Sequence, residues 1–167
     1  MARYLSSEEL GDPALEVAGF QLWVHGRQFP ESTDYYDGNW LRVTAHAGAP
    51  GASVWASGAF LMVPDLLRWA DECEALLEGR GKEAKLAPLE PQLAVTILPV
   101  DRLGHFMMRI QITPDHLTQE HTFQFEIDQT FLPHIVKRCR AIGGAYPTRG
   151  KESPCPSLAP QANEDKS

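Results

Sequence analysis

The stretch PDHLTQEH, residues 114–121, is the nearest this chain comes to a metal-site pattern, with His116 and His121 around Glu120. Zinc sites on helices need both imidazoles on one face, at i and i+4, as in H-E-x-x-H. A spacing of five misses that geometry, and on a strand it sends the two rings to opposite faces. The segment reads as a solvated loop between two strands, and no metal site is expected. His25, His46, His105 and His134 stand alone in the sequence. Nucleophilic catalysis needs a serine or cysteine held beside a base. Ser53 and Ser57-Gly58 lie within a strand pattern, with no G-x-S-x-G elbow, and Cys155 sits in a polar tail. Neither a Walker loop nor a G-x-G-x-x-G turn is present, so phosphate and cofactor binding have no anchor. Glu126 and Asp128 share a strand face, as carboxylates two apart do on any solvated sheet. The chain is expected to be non-enzymatic and to carry no cofactor.

Two features point instead to binding. DYYDGNWLRV, residues 34–43, packs Tyr35, Tyr36 and Asp37 before a glycine and a tryptophan. Asp37-Gly38 is a strong turn signal, and Trp40 opens an alternating strand, so the stretch reads as a hairpin entry. Tyrosines at such a loop tip make good interface anchors. The second feature is a row of carboxylates, Asp71, Glu74 and Glu78 with Glu72 beside them, opposite the apolar stripe of a helix. It is either a solvated face or a stripe that docks a basic partner. Lys137, Arg138 and Arg140 lie toward the end of a second helix, where cations suit the dipole.

The elements that must hold these residues follow from periodicity. Residues 15–24 are rich in β-formers and predict one strand. NWLRVTAHA, 39–47, alternates, with Leu41, Val43, Ala45 and Ala47 as the inward set, and 52–62 returns as the next strand. A helix follows, with Pro64 and Asp65 in its first turn. Its stripe is Leu66, Trp69, Ala70, Cys73, Leu76 and Leu77, and Gly79 stops it. Strand patterns recur at 84–90, 92–100, 105–113 and 121–127. The second helix carries Leu132, Ile135, Val136, Cys139 and Ile142, has Pro133 near its third position, and ends at Gly143-Gly144. Both helices open on an apolar residue, a proline and a polar residue, which hints at a duplicated strands-then-helix unit. The fold class is α+β: a mostly antiparallel sheet of about six to seven strands with two α-helices packed on it. Residues 1–147 make one domain, and the proline-rich tail 148–167 is expected to be disordered.

Length and charge bound the rest. A chain of 167 residues suits one well-buried core. No run approaches eighteen apolar residues, so no membrane span is expected. The start, MARYLSSEELGDP, lacks an apolar signal core, which predicts a cytoplasmic protein. Cys73, Cys139 and Cys155 cannot all pair, and the first two fall on helix core faces as small hydrophobes. A net charge of −7 repels phosphate backbones, so direct nucleic-acid binding is not expected, while encounter with a basic protein is favoured.

Several of these segments, in order, resemble a bacterial family of WapI-like immunity proteins. The resemblance rests on Asn39, Trp40 and Leu41, on Leu66, Trp69, Leu76 and Leu77, and on Leu89, Glu90, Pro91 and Leu93, and spans about 15–146. It implies a small intracellular protein that binds and silences a toxin domain, often a tRNA-cleaving nuclease. It carries no catalytic signature. The partner expected is therefore a protein, with a basic toxin domain as one form of it, met through Asp71, Glu74, Glu78, Tyr35, Tyr36 and Asp37. The alternative is an accessory protein that self-associates, with a homodimer built on an uncovered sheet face that exposes Trp23, Trp40 or Trp55.

Overall fold

The computed structural model describes residues 7–153, so Cys155 and the tail beyond 153 lie outside the described residues. A short helix, α1 (Ser7–Leu10), leads into β1 (Leu15–Val17), β2 (Phe20–Arg27), β3 (Trp40–Ala49) and β4 (Ala52–Met62), and then α2 (Val63–Leu77). The second half repeats the plan with β5 (Ala84–Leu86), β6 (Leu93–Pro99), β7 (His105–Ile112), β8 (Thr122–Asp128) and α3 (Phe131–Ala145). Each group of four strands forms an antiparallel sheet in chain order. The class is α+β with two sheets, and eight strands replace the expected six to seven.

The additional strand comes from residues 15–24. They form a hairpin rather than one strand, because Ala18-Gly19 reverses the chain and pairs Val17 with Phe20. Ala18 takes a φ of 50°, which an L-residue seldom adopts, so no turn signature marks the site in sequence. Gly19 matters for space. A Cβ there would sit 2.1 Å from the Gly48 carbonyl oxygen and 2.5 Å from the Phe125 ring, so the hairpin turn fits between β3 and β8 only as glycine. β2 also continues past His25, through a bulge between Val24 and Gly26. In the second half, the segment predicted at 84–90 is a strand only over Ala84–Leu86. Leu89 lies in the following loop, 74 % exposed.

The core gathers the inward set of β3 (Leu41, Val43, Ala45, Ala47) with the apolar sides of β2, β6 and β7 and of both long helices. Burying each large aliphatic side chain contributes roughly 2 kcal/mol. α2 begins as the sequence predicts: the Met62 N–H donates to the Asp65 carboxylate at 2.9 Å, with Pro64 in the first turn. It ends with the Gly79 N–H on the Leu76 carbonyl and the Arg80 N–H on the Ala75 carbonyl, a Schellman motif. Leu66, Trp69, Ala70, Cys73 and Leu76 are buried, but Leu77 is turned out and 42 % exposed. The stripe predicted for α3 is wholly buried. That helix does not stop at Gly143-Gly144 but runs to Ala145. A Cβ on Gly143 would come within 2.6 Å of Leu67 on α2, so this glycine serves helix–helix approach rather than termination. α2 packs along α3, and each leans on the other half: α2 on β5, α3 on β1. His134 Nε2 and the Arg138 guanidinium bond the Glu16 and Ala14 carbonyls at 3.1 and 2.7 Å. Arg138 thus makes a tertiary contact instead of merely facing a dipole.

Two glycine variants separate the packing role from helix propensity. Gly19→Ala has a backbone oxygen and the half-buried Phe125 ring to displace, and is expected to cost about 3 kcal/mol in urea unfolding. Gly144→Ala meets nothing within 4 Å and is expected to stabilise α3 by about 0.5–1 kcal/mol.

Candidate partner-binding surface

The Tyr35–Tyr36 loop belongs to the long β2–β3 connection, and the turn expected at Asp37-Gly38 leads into β3 at Trp40. Asp37–Asn39 form a single 3-10 turn. The Asp34 carboxylate shapes its entry, accepting the Tyr36 and Asp37 N–H groups at 2.8 and 3.1 Å. The two tyrosine rings meet edge to face with centroids 5.2 Å apart. Tyr36 and Asp37 are exposed and Tyr35 is half-buried. Burial, and after it the nearby Glu152 carboxylate, raise the Tyr35 hydroxyl above its ordinary value, so it remains a neutral donor.

Behind the loop stands a buried clamp. Asn39 is fully buried, and its amide donates to the Tyr35 and Arg149 carbonyls at 2.6 and 2.8 Å. Its side-chain oxygen accepts the Arg149 N–H at 2.9 Å. Arg149 in turn donates to the Pro30 and Ser32 carbonyls. Arg27, only 8 % exposed, donates to the Gly38 and Pro147 carbonyls and lies 5.8 Å from the centre of the Tyr146 ring. Among the described residues no carboxylate pairs with it. Burial first, then the Arg149 charge, lowers its proton affinity below the usual arginine range. The chain after α3 is therefore docked against the tyrosine loop through Gly150, past the boundary at 147 read from sequence. Only the side chain of Asn39, in the N-W-L segment, could have signalled this.

The loop adjoins α2. Tyr35, Tyr36, Met62, Pro64, Asp65, Arg68, Leu89 and Glu152 line one cleft of about 250 Å³. From Arg68 the exposed side of α2 continues through Asp71 and Glu74 to Glu78. The two groups of candidate residues thus form one strip. The strip is not bare carboxylate. Arg140 of α3 bonds Glu74 at 2.8 and 3.1 Å and Asp71 at 3.3 Å. Its hydrogen bonds hold the Glu74 carboxyl below its ordinary value. Glu78 pairs with Arg80, and Glu72 accepts the Lys85 N–H at 2.6 Å. Sequence reasoning missed Leu89 and Arg140 because each comes from a segment distant from the strip, whereas Arg68 lies only three residues before Asp71 on α2.

Chemistry elsewhere is sparse. His46 lies between Gln21 (3.0 Å) and Ser53 (2.7 Å), a serine–imidazole–amide row. Ser53 sits on a regular strand, where His46 stacks on Trp55 and Trp55 on Trp23, and not on an elbow that would present it to a substrate. Trp23 is buried, its indole N–H on the Gly11 carbonyl at 2.9 Å, while Trp40 and Trp55 are half-buried. Burial raises both thiols, Cys73 far up and Cys139 to about 12, so they are inert core groups. A further cleft of about 450 Å³ is lined by Asp101, His105, Glu126 and Asp128 together with Phe106 and Phe131. His116 lies in the β7–β8 loop and His121 at its end, and no group of three or more potential metal ligands occurs among the described residues. Among the described residues, no helix is long and apolar enough to cross a membrane.

Residues 14–147 match the Immunity protein WapI-like family. The chain belongs to that family. No curated protein and no solved structure matches it significantly. Membership points to an immunity function and a protein partner, and such families are in general non-enzymatic. In this WapI-like protein the matched span runs from the first strand to the end of α3 and so includes the tyrosine loop and the whole strip along α2. Of the residues that carried the resemblance, Leu77 and Leu89 prove to be surface residues rather than core.

Two expectations test the geometry. Asn39→Ala leaves the Tyr35 and Arg149 groups unsatisfied and is expected to cost about 2 kcal/mol, with faster proteolysis near Arg149. The Asp101 hydrogen bond raises His105 above 6.5, whereas burial lowers His46 and, with Arg42, His25. The stability His105 gains is therefore complete below 6.5 and lost as pH rises through its higher folded-state value. NMR titration should find His105 protonating at higher pH than His46, and Asp101→Asn should narrow that difference by lowering His105 while leaving His46 unchanged.

Proposed function

We propose that this WapI-like protein is a non-enzymatic immunity protein that binds and neutralises a toxin domain in the cytoplasm. The observation that carries the reading is the family match over nearly the whole described chain. The contact surface is the strip from Tyr35, Tyr36 and Asp37, over the cleft with Arg68 and Leu89, to Asp71, Glu74 and Glu78. Tyrosines and an arginine around a cleft supply the kind of anchor on which binding energy concentrates. A net charge of −7 suits a basic partner. A toxin nuclease, whose RNA-binding face must be basic, has the matching chemistry. Because Arg140 and Arg80 already neutralise much of the carboxylate row, the acidic groups set encounter rate and orientation, and the tyrosines hold the complex.

The test uses the toxin domain encoded beside the gene, purified with the immunity protein and titrated by calorimetry. Tyr36→Ala is expected to weaken binding by about 2 kcal/mol, roughly thirtyfold in Kd, with unfolding unchanged. Reversing Asp71, Glu74 and Glu78 together is expected to slow association and flatten its salt dependence. Failure of the neighbouring domain to bind the wild-type chain would overturn the immunity reading. Full affinity in the tyrosine variant would overturn the strip alone.

A further inference from the structure

The sheets end in four edge strands of very different character. β1 and β5 have three residues each, and β8 carries Glu126 and Asp128. β4 is eleven residues long, ASVWASGAFLM, with no lysine, arginine, aspartate, glutamate or proline. Folded proteins ordinarily protect such an edge with charge, proline or brevity. β3 occupies one side of β4. Among the described residues, no backbone or side-chain group beyond β3 bonds the ladder groups of 52–61. A bulge sets in where Val43 faces Gly58 but Leu41 faces Leu61, so the flat portion is 52–58. Ala52, Ser53, Ser57 and Gly58 are exposed along it.

We propose that this edge pairs antiparallel with the same strand of a second copy, joining two four-stranded sheets across a two-fold axis at Trp55. The strand's own sequence argues for this occupant. A two-fold axis normal to the sheet keeps each side chain on its face, so opposed residues differ by an even number of positions. About Trp55, Val54 then faces Ala56, Ser53 faces Ser57, and Ala52 faces Gly58. Each bulky inner residue meets a small one, and no charge enters the seam. Trp55 stacks on Trp23 and His46, with centroids 5.6 and 4.2 Å away, and would add its own counterpart as a cross-strand aromatic partner. The like charges of the two copies oppose the pairing from outside the seam, so added salt, which screens them, strengthens it. A basic partner on the α2 strip would show the reverse dependence. The inference rests on β4 alone and stands whether or not a toxin partner exists.

Sedimentation equilibrium of the full chain reads the outcome directly. A reversible monomer–dimer equilibrium in the micromolar range, tighter at higher salt, is expected. Ser53→Lys with Ser57→Lys sets lysines opposite one another and is expected to weaken the dimer about tenfold, with the circular dichroism of the fold retained. Trp55→Cys on a Cys155→Ser background is expected to give a covalent dimer under mild oxidation, whether or not the double-lysine variant folds. A wild-type chain monomeric at all concentrations and salts, or a dimer indifferent to the lysines and not trapped by Cys at 55, overturns the proposal. Pairing only with the toxin domain's strand, and not with itself, overturns it equally.

Discussion

The placement of the tyrosine loop and the strip beside it depends on one buried cation. Arg27, at the end of β2, holds the Gly38 and Pro147 carbonyls together although they are more than a hundred residues apart in sequence. A buried guanidinium without a carboxylate is costly unless its donors are filled, and here backbone oxygens and the Tyr146 ring fill them. Carbonyl dipoles stabilise the charge less than an ion pair would, and the second cation Arg149 adds repulsion. Asn39 offsets this by taking both backbone groups of Arg149, so a single neutral side chain locks the exit from α3 to the turn before β3. The tyrosine loop inherits its shape from that lock.

A second constraint joins the two halves. Each half is a four-stranded meander followed by a fifteen-residue helix, and neither sheet alone has enough partners for its apolar face. The helices pack on one another and reach across to the opposite half, so one core serves both. Two glycines fix how closely this can happen, Gly19 between β3 and β8 and Gly143 against Leu67. Arg140 then ties the rims of α2 and α3 at the surface. As an exposed network it adds little to stability, but it changes what a partner meets: mixed charge of defined geometry instead of a uniformly negative helix.

The surface divides accordingly. The strip along α2 is aromatic and charged and suits a partner that is steered in and anchored. The β4 edge is neutral and ladder-like and suits a strand. Between them, His105 and His46 respond to opposite influences: an exposed carboxylate partner raises one, burial lowers the other. Local environment rather than residue type thus decides which imidazole charges first.

Periodicity within the sequence determined most elements and nearly all of the core. The inward set of β3 and the α3 stripe are buried as their spacing demands, because alternation and 3.6-residue repeats report which face leaves water. The N-W-L, helix and L-E-P segments also sufficed to indicate the family. Tertiary structure alone decided the rest, where the deciding atom lies far along the chain. Position 19 is glycine because Gly48 and Phe125 leave no room for a side chain, and Gly143 lies within a helix that packs against Leu67. Asp71 and Glu74 read as a free acidic row until Arg140 arrives from sixty-six and more residues away. Asn39 reads as a turn residue until Arg149 docks on it. Spacing carries information about neighbours within an element; the partners of a buried amide or a surface carboxylate are fixed only when separate elements pack.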